Sequence, residues 1–89
     1  MPTAITNDDA EALGLRALAW CLADERRAER LLATTGLTPA DLRARAGSPA
    51  LLGAVLSFLE AHEPDLVACA EALDAAPGAL VAAREVLTP

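Results

Sequence analysis

From residue 49 to residue 61 apolar side chains recur at the spacing of one helix face. At about 100° per residue, Leu51, Leu52, Val55, Leu56, Phe58 and Leu59 fall in one broad arc, with Gly53, Ser57 and Glu60 on the other side. That pattern predicts a core helix with one wet face. The segment 7–23 differs. Leu15, Leu18 and Leu22 form one stripe, Leu13, Ala17 and Trp20 form another nearly opposite it, and Arg16 alone breaks the apolar ring. This predicts a helix buried on both flanks, a central strut. The expected core is therefore Leu15, Leu18, Trp20, Leu22, Leu52, Val55, Leu56, Phe58 and Leu59. No segment alternates with period two, and the chain holds only four valines and one isoleucine, so the fold class is all-α.

Proline sets the boundaries. Thr38-Pro39, Ser48-Pro49, Glu63-Pro64 and Ala76-Pro77 each open a helical pattern. Proline is tolerated at the first helical position because its missing N–H would have no partner there. Thr38 and Ser48 are good caps in front of it, Thr6 with Asp9 three residues later marks the first start, and Gly36 and Gly47 fall where helices should stop. The result is a compact bundle of six short helices over 7–23, 25–35, 39–46, 49–61, 64–74 and 77–87, in one domain of residues 7–89 behind a tail of residues 1–6.

A shift of 38 residues lays Leu13 on Leu51, Leu18 on Leu56, Trp20 on Phe58, Glu25 on Glu63, Pro39 on Pro77 and Leu42 on Leu80. The coincidence of helix starts suggests a duplicated three-helix unit, 10–47 and 48–85. Each half would be too small to bury its own core.

Charge and composition narrow the function classes. Eighty-nine residues carry seven arginines, no lysine and thirteen acids, a net charge of −6. That balance opposes nonspecific nucleic-acid binding, which needs a basic field. The longest apolar run, Ala17 to Ala23, is about a third of a bilayer span. Asn7, Asp8, Asp9 and Glu11 near the start give no basic region of the kind that opens a secretory signal. Cys21 and Cys69 are too few for a disulfide framework and lack paired spacing. A reducing, cytoplasmic setting is expected.

The run LRALAWCLADERRAERLLATTGLTPADLRARA at 15–46, followed by SPALLGAVLSFLEAHEPDL at 48–66, resembles a family of short alphaproteobacterial proteins, domain of unknown function 3572. TGLTPADLR at 35–43 and SPALLGAVLSFL at 48–59 are its most specific pieces. Leu31 stands where the family usually has an aromatic residue, and the second half is richer in alanine than is typical. The resemblance implies a small all-helical bacterial protein and carries no activity or catalytic residue with it.

Four groups of residues invite a functional reading. Residues 38–61 resemble the start of a helix-turn-helix. However, the second helix offers Ala50, Gly53, Ser57 and Glu60 where base-reading side chains are needed, so a plain packing corner is the expectation. Arg26, Arg27 and Arg30 share one arc of the second helix, either as a docking patch for an acidic partner or as a solvated face. His62 lies where the fourth helix ends and a cation is favoured. It has no nucleophile or paired acid at motif spacing. Cys21 and Cys69 fit as small core residues. Gly53 with Ser57 forms a small-residue track suited to a close helix crossing or to another chain. The chain is thus expected to be a non-enzymatic interaction module or regulator, with no cofactor or metal and an unnamed protein partner. A homodimer through Leu13, Ala17 and Trp20 or through Gly53–Ser57 is one form of that expectation. A DNA-associated regulator using 38–61 is the alternative.

Overall fold

The computed structural model describes residues 5–88. Its helices are α1 (Asn7–Leu22), α2 (Glu25–Thr35), α3 (Pro39–Arg45), α4 (Pro49–Glu60), α5 (Glu63–Ala72) and α6 (Pro77–Leu87), and no strand occurs among the described residues. Residues 1–4 of the expected tail and Pro89 lie outside the described residues.

Local chemistry explains the starts. The Thr6 hydroxyl accepts from the Asp9 N–H at 3.0 Å, and Asp24 accepts from the Arg27 N–H at 3.0 Å. Thr38 and Asp41 cap each other: the Asp41 N–H donates to Thr38 Oγ1 and the Thr38 N–H to Asp41 Oδ2. This reciprocal box satisfies two donors that the first turn leaves without partners. Ser48 caps α4 through the Leu51 N–H. Gly36 ends α2 in the left-handed region at φ 77°, where the Cβ of other residues clashes. After α5 the same turn is made by Asp74 at φ 55°. Aspartate is among the few residues that visit this region without glycine's freedom.

The packed centre consists of α1, α4 and α6. In α4, Leu51, Leu52, Gly53, Val55, Leu56, Phe58 and Leu59 are all buried, so α4 rather than α1 is the central strut. The inward face of α1 is Ala10, Gly14, Ala17, Leu18 and Cys21. Leu15 and Leu22, expected in the core, are instead 43% and 44% exposed. The physical reason is closeness of approach. A Cβ added to Gly14 would lie 3.1 Å from the Leu52 Cβ, so α1 meets α4 through its smallest side chains. Turning Leu15 and Leu22 inward would push the two backbones apart.

The second flank of α1 is only half covered, and Trp20 is half-buried rather than part of the sealed core. Leu18, Leu52, Val55, Leu56, Phe58 and Leu59 are buried as expected.

The remaining helices are attached by fewer anchors. α2 inserts Leu31 and α3 inserts Leu42. Arg16 Nη2 donates to the Leu73 carbonyl at 2.7 Å, tying α1 to the end of α5. Arg84 Nε pairs with Glu60 between α6 and α4. α2 and α5 start 38 residues apart, as do α3 and α6. The matched helices nonetheless have different surroundings, because α6 belongs to the packed centre and α3 lies on the outside. Among the described residues, no single helix is long and apolar enough to cross a membrane.

Candidate functional site

The three arginines of α2 do not form one free patch. Arg27 lies over the Trp20 ring, its guanidinium carbon 3.7 Å from the ring centroid, and its Nη2 donates to the Trp20 carbonyl at 2.8 Å. The helix break at Ala23–Asp24 turns the chain back so that Arg27 covers the indole, a favourable contact of a cation with the electron-rich ring face. Arg30 Nη2 sits 3.0 Å from Asp65 Oδ2 and joins α2 to α5. His62 Nδ1 is 3.1 Å from that same oxygen, although neither approach has the alignment of a hydrogen bond. Arg26 alone points out with no ion pair among the described residues. Of the three arginines, Arg27 and Arg30 are thus engaged with other parts of the fold, and Arg26 stays exposed without an ion pair among the described residues.

The Gly53–Ser57 track is also not an open groove. Gly53 is buried, and a Cβ added there would collide with Thr88 Cγ2, so the C-terminal end of this same chain fills the space. Ser57 remains exposed. Of the residues expected to meet a second copy, Ala17 and Gly53 are buried within this chain, Leu13 and Trp20 are half-buried, and Ser57 is exposed.

Residues 38–61 do not make the expected packing corner, because α3 and α4 scarcely touch. The apolar face of α4 is spent on the core. A groove-reading helix must present an outer face of hydrogen-bonding side chains, and α4 presents little beyond Pro49, Ala50 and Ser57.

His62 occupies the N-cap position of α5 without a side-chain cap bond. It also directly follows the Ala61 C-cap, so it stands at the end of α4, as expected, and between the two helices. Cys21 and Cys69 are free and buried. Burial pushes their thiols up to about 12 and about 11, with the proximity of Cys69 adding to the effect on Cys21. A thiol held protonated in this way is a poor nucleophile and a poor metal ligand. No cluster of three or more His, Cys, Asp or Glu suited to a metal occurs among the described residues.

One surface emerges that the sequence pattern did not single out. On α5, Leu66, Cys69 and Ala70 turn inward, while Glu63, Pro64, Val67, Ala68 and Glu71 line a shallow, open, largely apolar groove on the outside. These positions recur at helical spacing, so they share one face. Val67 is 37% exposed at the middle of the groove, with a carboxylate at each end. The signal was present but masked: in an alanine-rich helix nearly every side reads as apolar, and periodicity loses its contrast.

A family model described as a protein of unknown function, DUF3572, matches residues 7–89. The chain belongs to that family. The DUF3572 match spans all six helices and the α5 groove, and the family description names no activity. No curated protein and no solved structure matches the chain.

Proposed function

We propose that this DUF3572 chain is a non-enzymatic interaction module that binds another protein through the outer face of α5 and so acts as an adaptor or regulator in the cytoplasm. The observation that carries the reading is the Pro64–Val67–Ala68 groove, an apolar surface that no other part of the described chain covers. Its support is the disposition of everything else. Arg27, Arg30 and Arg84 make contacts within the fold, and the thiols are sealed inside. Free thiols agree with a reducing compartment.

Affinity capture of the intact chain from its native cytoplasm, run beside Val67→Arg, tests the reading. Val67 is exposed enough for arginine to be accommodated without disturbing the core. A protein retained in stoichiometric amount by the natural chain and lost with Val67→Arg is the expected result. Equal retention by both excludes the α5 face.

Self-association is the second reading, favoured by a different observation. Leu15 and Leu22 lie two turns apart on α1, and both are exposed. Two copies meeting across this stripe would bury four leucines, the apolar centre a homodimer needs.

A further inference from the structure

We infer that the α5 groove selects a basic amphipathic helix from a different protein, with two cations seven or eight residues apart flanking a small apolar stripe. This rests on the interaction reading above and specifies its partner. Glu63 and Glu71 stand at the two ends of the groove, both exposed. Eight residues at about 1.5 Å rise put them roughly 12 Å apart along the helix. A partner helix lying along α5 reaches both carboxylates with cations two turns apart. Pro64, Val67 and Ala68 between them offer a floor of small side chains, which suits leucine- or isoleucine-sized groups more than large aromatic ones. Asp65 points to the other side of α5, where Arg30 and His62 already hold it.

The chain itself cannot supply such a helix. Its arginines are at 16, 26, 27, 30, 43, 45 and 84, and no helix holds two of them seven or eight residues apart. A second copy also brings its own charge of −6, which opposes association. A cationic partner gains from that field, chiefly in rate of encounter and in orientation, with the salt dependence of rim charges. A single helix on a shallow groove buries less than a standard interface, so the contact is of the transient class.

The test uses the full chain, labelled with ¹⁵N, and two synthetic helical peptides. One carries arginines seven residues apart around a Leu-Ala-Leu stripe. The other carries glutamates at the same positions. The arginine peptide is expected to shift the amides of residues 63–71, and 0.5 M salt is expected to weaken it about tenfold. Glu63→Arg with Glu71→Arg should abolish the preference while leaving helical content unchanged, since both side chains are exposed. Equal shifts from both peptides overturn the charge rule and leave docking on α5 standing. Shifts centred on Leu15 and Leu22 overturn the site. No shift from either peptide, together with capture that Val67→Arg does not affect, removes both this inference and the reading beneath it.

Discussion

A methyl group added at Gly53 would land on the Thr88 side chain, and one added at Gly14 would land 3.1 Å from the Leu52 Cβ. The two neighbours differ in what they can do. Thr88 is exposed and able to rotate, at the loss of its hydroxyl bond to the Arg84 carbonyl (2.8 Å). The Leu52 Cβ is fixed to a buried backbone. Replacing glycine by alanine inside a helix gains about 1 kcal/mol, while losing an exposed hydrogen bond costs about 0.5–1.5 kcal/mol. Gly53→Ala should therefore stay within about 1 kcal/mol of the natural chain. In a Thr88→Ala background the same change should stabilise. Gly14→Ala should destabilise by about 1–3 kcal/mol through overpacking. Urea unfolding of the four variants measures this, and a coupling near zero between positions 53 and 88 would show that Thr88 does not cover Gly53.

Among the elements, α2 and α3 are the most dependent on their caps, since each buries a single residue, Leu31 and Leu42. Backbone N–H groups hold the two capping carboxylates below the ordinary value of 3.8: that of Arg27 acts on Asp24 and that of Thr38 on Asp41. A depressed folded-state value means the charged form is favoured by folding. The contribution is complete above 3.8 and is lost as pH falls through the lower folded values. On acidification below that point, amide exchange in α2 and α3 should accelerate before exchange in α1, α4 and α6. Asn also caps helices well, so Asp24→Asn with Asp41→Asn should retain both helices and remove the pH dependence. Simultaneous loss of all helices, unaltered by the asparagine pair, contradicts this.

These helices also show which parts of the fold could be read from the chain. Prolines, hydroxyl caps and Gly36 act within a few residues, and the bounds of α2 and α6 coincide with their expected ranges. Helix α5 runs from Glu63 to Ala72 rather than 64–74, because Asp74 adopts a left-handed turn without the glycine that would have announced it. The orientation of α1 was hidden for another reason. Burial energy scales with apolar area, which favours the leucine stripe, whereas close helix approach favours Ala10, Gly14 and Ala17. Only the fit against α4 decides between them. Arg27 shares an arc with its neighbours on α2, yet its partner is Trp20 across a helix break. Contacts of that kind depend on the angle of a turn and leave no periodic trace.

At the scale of the whole molecule, the chain invests its large apolar side chains in α4 and its small ones in the α1 crossing. Among the described residues, Leu15, Leu22 and Val67 are left as exposed large hydrophobics. The first two could meet a second copy only against its own charge of −6, whereas the third, set between two carboxylates, favours a cationic stranger. Binding through α5 is the central claim, and a photo-crosslinking amino acid placed at Val67, or separately at Leu22, in living cells tests it most directly. The account predicts one discrete adduct from position 67 whose added mass belongs to a different protein with a basic helix, and no comparable adduct from position 22. Adducts between two copies from position 22, with none from position 67, would contradict it.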